Sequence, residues 1–508
     1  MKLRSRILDI AADQPTVLLN QEDAERGKIH VNERVRLEFG GRTAVALSEL
    51  TKTIVGRGEV GVYEGVGERL GLRGGEEVTV VSSVPPHSLE LIKKKISGEP
   101  LTKDEISEIV RDIVSDSLTD VEIAAFVMSQ QFVGMSMDEV EARTRALVEG
   151  GERINFNQTV YDKHSIGGVP GNKISLLIVP IVASMGLFIP KTSSKAITSP
   201  SGTADTMSLL AEVEFTPTEF KEVALKAGGA IVWGGKLGLA PADDILIRRA
   251  EHPLELDPRS QMMASIMAKK MAVGANCVVI DIPVGRGTKV ETEEEGMKLA
   301  SDFIELGRRL KIRTLCGLTY GSQPVGHAVG PALEAREALR ALMGEGPTSL
   351  IEKSTAIAGL LLEAGGVAPP GMGQDHAKQA LMSGKALGKM REIIEAQGGD
   401  PNIEPEDIPV GDHTICMNSP ADGYVTEIDN AAINDIARLA GAPLDRGAGI
   451  VLDAKRGYIV KKDQGVLTIY ADKASNLSAA YNLAMQSKPF TVEGMLLRKV
   501  PEYGWREM

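Results

Sequence analysis

From about Val160 the chain alternates strand-like and helix-like segments, and this alternation limits its fold more than any other feature. TVYDKH, FIPKTSS, AIVWGG, NCVVIDIPV and IRTLCGLT read as strands. Between them, NKISLLIVPIVASMG, TPTEFKEVALKAGG and VETEEEGMKLASDFIELGRRL read as helices. Strands separated by helices are joined by crossovers rather than hairpins, so the sheet is expected to be mostly parallel and covered by helices. Ligands of such sheets bind at the carboxyl ends of the strands. The longest apolar run, from Ile174 to Ile189, is broken by Ser175, Pro180 and Ser184, and reads as a buried helix rather than a membrane span.

The flanks have a different character. Residues 1–84 hold short β-rich runs (RSRILDI, TVLLN, VRLEF, TAVALSEL, EVGVYEG, EEVTVVSSV) between Gly and Asn turns, the pattern of a small β-barrel-like domain. The proline pair in VPPHS then marks a boundary. Thr102-Lys-Asp-Glu105, Thr119-Asp-Val-Glu122 and Ser136-Met-Asp-Glu139 are capping boxes in succession, each before an apolar-periodic run, and predict a helical domain over 85–158. Residues 240–275 are expected to join it. The α/β phosphate-binding domain is then 159–405, and GGDPNIEPEDIPVGD connects it to an α+β unit at 410–508. The expected class is a multidomain α/β protein.

Composition narrows function by exclusion. The 57 Lys and Arg against 69 Asp and Glu give a net charge of −12, and aromatics make up 4%. Such a chain lacks the basic footprint and stacking surface of a nucleic-acid binder. The histidines are scattered with no HExxH, and no carboxylate cluster has ligand spacing, so no metal is expected. Cys277, Cys316 and Cys416 form no CxxC, and the first two read as buried thiols. MKLRSRILDIAADQ has no apolar h-region, so the expected address is the cytoplasm, without membrane partners.

A bound phosphate therefore needs local positive charge, and four donor-rich segments supply it. YDKHSIGGVPGNKISLLIVP (161–180) resembles a phosphate cradle, yet fails the P-loop pattern GxxxxGK[ST], because Asn172 separates Gly171 from Lys173 and Ile174 follows. The glycines Gly167, Gly168 and Gly171 also fail GxGxxG. A glycine turn closing a βα unit and an anion site both remain open; backbone amides, a following helix, Lys163, Ser165 and Ser175 suit an anion. TSSKAITSPSGTADT (192–206) packs hydroxyls and one lysine into the next βα loop. In DPRSQMMASIMAKK, Ser265 and Lys269 are four apart on one helix face, and Asp257 stands where an N-cap would. DIPVGRGTK runs from a strand end into a loop with Arg286 and Lys289.

Taken together, KHSIGGV, SGTADT, and ASIMAKK followed by a strand and VGRG resemble the thymidine/pyrimidine nucleoside phosphorylase family. The resemblance runs from about residue 86 to the end. About 85 further N-terminal residues, with SSKAITSPSGT where bacterial members carry SGRGLGHTGGT, are similar to an archaeal-type branch acting on nucleotides. That resemblance implies phosphorolysis: AMP plus phosphate gives adenine and ribose 1,5-bisphosphate, with CMP and UMP also accepted. It implies no cofactor, inorganic phosphate as co-substrate, and a homodimer or larger homo-oligomer. Pyrimidine nucleoside phosphorylase and a non-catalytic nucleotide-binding regulator are the alternatives.

The same resemblance implies the roles. Lys163, Ser165, Ser175, Ser193 and Thr203 would hold the attacking phosphate. Gly168, the loop residues Ser194, Lys195, Ala196, Ile197, Thr198 and Ser199, with Thr203, Ser265 and Lys289, would hold the nucleotide. Lys195 and Lys289 suit its 5′-phosphate. Asp257 matches the proton donor to the departing base, a role that competes with helix capping. His164 and Lys269 would lie near the base, and Arg249 (or Arg248) would contact it. Lys173 receives no role. DAKRG (453–457) matches a carrier-domain lysine hairpin poorly, and the C-terminal unit is expected to be structural.

Overall fold

The computed structural model describes residues 1–12, 14–196 and 199–495. The chain forms two compact units, one of residues 1–151 and 240–268, the other of 152–239 and 269 onward.

In the first unit, β1 (Lys2–Leu8), β2 (Thr16–Asn20), β3 (Arg34–Phe39), β4 (Arg42–Thr51), β5 (Glu59–Tyr63) and β6 (Glu77–Ser82) close into a barrel in the order β1-β5-β2-β4-β3-β6. Strand alternation sends Leu3, Val17, Leu19, Val35, Leu37, Val60, Val62, Val78 and Val80 inward, where all are buried. Closure leaves no unpaired strand edge. Helices Lys103–Val114, Asp120–Phe132 and Met137–Glu149 follow, and each starts with a complete capping box on Thr102, Thr119 or Ser136. A buried ion pair, Arg34 to Glu122 at 2.6 Å, fastens the barrel to these helices. Residues 240–268 belong to the same unit and hold a short π-helical turn, Ile247–Glu251.

The second unit contains β7 (Tyr161–Ser165), β8 (Ile189–Ser193), β9 (Gly229–Trp233), β10 (Cys277–Val284) and β11 (Arg313–Tyr320). All pairings among them are parallel, in the orders β11-β10-β7 and β8-β9. The expected single sheet is thus two ladders; at their junction the Tyr161 N–H donates to Phe188 O, the residue before β8, at 2.9 Å. Helix Ser175–Ser184 is buried over nearly its whole length, as its predominantly apolar sequence requires. Among the described residues no helix is long and apolar enough to cross a membrane. Cys277 is buried, whereas Cys316 is only half-buried, because β11 is a sheet edge.

The C-terminal part packs its own core around Val425, Ile433, Ile450, Leu467 and Ile469. Lys455, in the DAKRG segment, is no displayed hairpin lysine. It is buried, and its ammonium donates to Pro324 O and, at 2.7 Å, to Gly326 O.

Candidate functional site

In the second unit, β7, β8 and β10, with Lys270 from the segment before β10 and Lys353 from a helix, bring together buried charges of unequal number. Register pairs Ser165 with Asp281 across β7 and β10. The Asp281 carboxylate is fully buried and accepts Ser165 Oγ at 2.8 Å, Asn172 Nδ2 at 3.4 Å and Thr319 Oγ1 at 2.5 Å. Lys353 Nζ lies 3.2 Å away from it. These groups hold its pKa below the ordinary carboxylate value despite burial. Lys163 Nζ donates to Ser175 Oγ at 3.3 Å. Lys270 pairs with fully buried Asp162 at 2.7 Å, and Lys191 donates to Thr192 O.

Lys163, Lys191, Lys270 and Lys353 are all buried, and among the described residues Asp162 and Asp281 are the buried carboxylates that pair with members of the group. The six act on one another: Lys163 feels Asp281, Lys353, Lys270 and Asp162, and Lys191 feels Lys270, Asp162 and Lys163. Burial pushes the Lys163 ammonium down to about 8 and that of Lys191 well below its ordinary value. Burial, with Lys270, Lys191, Lys163 and Lys269 nearby, pushes the imidazole of His164 far down as well, so it is neutral, and its Nδ1 is buried without a hydrogen-bond partner among the described residues. A buried excess of cations is costly unless an anion joins it.

The turn between Gly167 and Lys173 is held from inside. Lys173 is buried, and its ammonium donates to Gly171 O (2.9 Å), Val325 O (3.0 Å) and Ala328 O (3.0 Å) and pairs with Glu337 Oε2 at 2.7 Å. Gly171 has φ +68°, and a Cβ there would stand 2.7 Å from Ala328 O, so only glycine fits. At Gly168 (φ +85°) a Cβ would stand 3.0 Å from the Lys289 amide nitrogen, which brings the GRGTK loop onto the KHSIGGV turn. Lys289 itself is exposed.

The 192–206 loop closes on Asp205, whose Oδ2 accepts the amides of Ala196 (2.6 Å) and Gly202 (2.9 Å). The Ala204 amide donates to Ser194 O, next to Thr203 at the helix start. Ser193 ends β8, Ser199 donates to Ser201 O, and Ile197 and Thr198 lie outside the described residues. Lys195 pairs with Glu214 at 2.5 Å and sits 4.1 Å over the Trp233 ring. Lys269 belongs to this unit as well.

In the first unit, Asp257 is exposed, two residues before the helix Arg259–Ala272. Ser265 Oγ donates to buried Asp243 at 2.6 Å, and Gln261 Nε2 donates to the same carboxylate at 3.1 Å. Arg249 is nearly buried and pairs with Asp116 at 2.7 Å. Glu251 and fully buried Arg143 lie in the same cluster, and burial, with the nearby Asp243, pushes the Glu251 carboxyl up to about 8.

Sequence reasoning passed over Asp281 as a hub, and over Lys191, Lys353, Asp243 and Glu251. Asp281 and Lys191 could have been noticed as charges inside apolar strands, and Lys353 as a charge inside an apolar helix.

Comparison with known proteins identifies this architecture. The glycosyl transferase family helical bundle domain matches residues 89–151, and that family's a/b domain matches 157–387. The pyrimidine nucleoside phosphorylase C-terminal domain matches 424–489. Anthranilate phosphoribosyltransferase (TrpD) from Thermus thermophilus shares the fold at TM-score 0.52 and 20% identity, over 60% of this chain and 98% of its own. These matches define a multidomain glycosyl transferase of the nucleoside-phosphorylase type. AMP phosphorylase from Thermococcus kodakarensis is 52% identical over 98% of this chain and 99% of its own. AMP phosphorylase 1 from Archaeoglobus fulgidus is 52% identical over 95% of both chains, and the Methanosarcina mazei AMP phosphorylase is 51% identical over the full length of both. The chain belongs to the AMP phosphorylase family.

Two substitutions test the geometry. Lys173→Met strands three carbonyls and leaves Glu337 unpaired, and is expected to cost about 3–5 kcal/mol in chemical denaturation. Glu251 titrates at its ordinary 4.5 when unfolded and at about 8 when folded. Between those values the folded chain holds the extra proton, so this group makes stability fall as pH rises across the window. Glu251→Gln is expected to flatten that slope in melting temperatures measured from pH 5 to 8.

Proposed function

We propose that the protein is a pentosyltransferase that phosphorolyses nucleoside 5′-monophosphates, AMP plus phosphate giving adenine and ribose 1,5-bisphosphate, with CMP and UMP as further substrates. The observation that carries this reading is the cluster of four buried lysines with two buried aspartates beside a glycine turn. A phosphate dianion neutralises it. The relatives named AMP phosphorylase, matched over their full length, direct the reading to a nucleotide rather than a nucleoside.

Phosphorolysis needs a phosphate oxygen to attack C1′ as the bond from C1′ to the base nitrogen breaks, leaving electrons on the base that a proton must meet. Lys163, with Ser165, Ser175, Ser193 and Thr203, holds the nucleophile in position, which together with charge stabilisation supplies most of the acceleration. The 194–199 loop, Gly168, Thr203, Ser265 and Lys289 hold the nucleotide. His164, being neutral, lies beside the base without adding charge. Asp257 protonates the departing base; its exposure before the Arg259–Ala272 helix leaves it accessible to solvent protons. The cytoplasm is the proposed location, and a homo-oligomer the proposed assembly.

Purified protein is expected to release adenine from AMP only when phosphate is present, forming ribose 1,5-bisphosphate. Cleavage of thymidine as fast as AMP would instead favour a pyrimidine nucleoside phosphorylase. The kcat/KM for phosphate should fall as pH rises through about 8, where the Lys163 ammonium loses its proton. Asp257→Asn should lower kcat by about 100-fold or more with an unchanged melting temperature; lost stability with activity kept would make Asp257 a structural residue.

A further inference from the structure

Lys353 stands in a helix that has no evident need of a charge. Thr348–Ala364 (TSLIEKSTAIAGLLLEA) buries Leu350, Ile357, Ala358, Leu361 and Leu362 in the main core. Lys353 is buried there with 8% of its surface exposed. Its ammonium reaches one counter-charge, Asp281 Oδ2 at 3.2 Å, and makes no hydrogen bond among the described residues. An ammonium has three donors, and a lysine buried with its donors unspent is expensive to keep.

The atom it reaches is the one that fixes Ser165. Ser165 gives its hydroxyl proton to Asp281 Oδ2 at 2.8 Å, and its oxygen accepts Asn172 Nδ2 at 2.8 Å. The proton of Ser165 is thus already committed, and the hydroxyl offers a bound phosphate an acceptor, suited to the P–OH of hydrogen phosphate. This arrangement needs Asp281 ionised, and burial alone would favour its protonated form. It also needs Lys163 to stay with phosphate rather than move onto Asp281, the carboxylate that acts on it most strongly.

We propose that Lys353 is a positioning residue of the phosphate site: by pairing with Asp281 it keeps Ser165 an acceptor and leaves the Lys163 ammonium free for phosphate. This rests on reading the 163–175 turn as the phosphate site. Lys353 also presses on the titration of Lys163, alongside Lys270, against the opposing pull of Asp281 and Asp162; Lys191 and His164 are the remaining ionisable neighbours.

The test uses Lys353→Met in the full-length protein, titrated calorimetrically with inorganic phosphate and assayed with AMP. Phosphate affinity and the KM for phosphate should weaken by about 10-fold while the KM for AMP stays within about twofold. The alkaline limb of kcat/KM for phosphate should move to higher pH, because one charge that drives the proton off Lys163 is gone. A purely structural lysine would lower the melting temperature and move neither readout. Unchanged phosphate affinity, equal loss for both substrates, or an unmoved alkaline limb each overturns the proposal. If Lys353→Met does not fold, Lys353→Gln keeps most of the side chain's length and a donor but removes the charge. It should show the same phosphate loss, and wild-type phosphate affinity in it overturns the proposal. A wild type that binds phosphate but releases no adenine from AMP sinks the substrate reading alone, since the calorimetric comparison still judges Lys353. A wild type that binds no phosphate overturns both.

Discussion

The ammonium of Lys173 is the fixed point of the second unit. Burying an ammonium costs several kcal/mol, which a single carboxylate rarely offsets. Here Glu337 and three main-chain carbonyls surround it, and those carbonyls come from two segments more than 150 residues apart. The glycine turn at 167–173 and the 325–328 stretch are therefore clamped to one cation. Glu337 serves both sides, because its other oxygen accepts the amides of His327 and Ala328 at 2.8 and 3.2 Å. Lys455 repeats the device from the C-terminal domain on Pro324 and Gly326, and its burial beside Lys173 pushes its pKa down to about 7. A turn held this firmly can present its amides at the end of β7 without relying on a ligand to order it.

This clamp also explains why Lys173 mimics an ATP-binding lysine in sequence and does different work in the fold. A P-loop lysine reaches outward to phosphate, whereas Lys173 turns inward. What decides the direction is the position of Val325, Ala328 and Glu337, and none of these is marked by local sequence. Features that close within a few residues were legible for the opposite reason. A capping box joins residue i to i+3, so Thr102, Thr119 and Ser136 announced their helices outright. Barrel strands showed their inward faces by alternation. The hub at Asp281 was hard to read because its partners come from three separate parts of the chain: Ser165 and Asn172 in one turn, Thr319, and Lys353.

The first unit follows a different electrostatic rule. Around Asp243, Arg143 and Glu251 the acids outnumber the base, and Glu251 responds by keeping its proton. The neighbouring Asp243 carboxyl holds Ser265 and Gln261. In the second unit the cations are in excess, and Lys163 and Lys191 are left poised to lose protons. One cluster can settle its imbalance internally, by a proton that solvent supplies at neutral pH. The other would have to give up protons that lysines ordinarily keep, so an anion from outside is the less costly remedy.

That asymmetry separates a structural charge cluster from a binding one in a chain whose overall charge is −12. Long-range attraction does not bring phosphate to such a protein; net charge opposes it. The attraction comes from ammonium groups that have lost water on burial and interact in a medium of low effective dielectric, where each contact counts for more than at the surface. Lys195, exposed to solvent and already paired with Glu214 and Trp233, shows the contrast. Were it to meet a nucleotide's 5′-phosphate, as proposed, it would exchange one partner for another of similar charge. Lys163 has no such exchange to make, since the Ser175 hydroxyl, its hydrogen-bond acceptor, carries no charge. On the proposed reading, binding strength for inorganic phosphate would therefore reside in the buried lysines, and discrimination among nucleotides in the loop that carries Lys195.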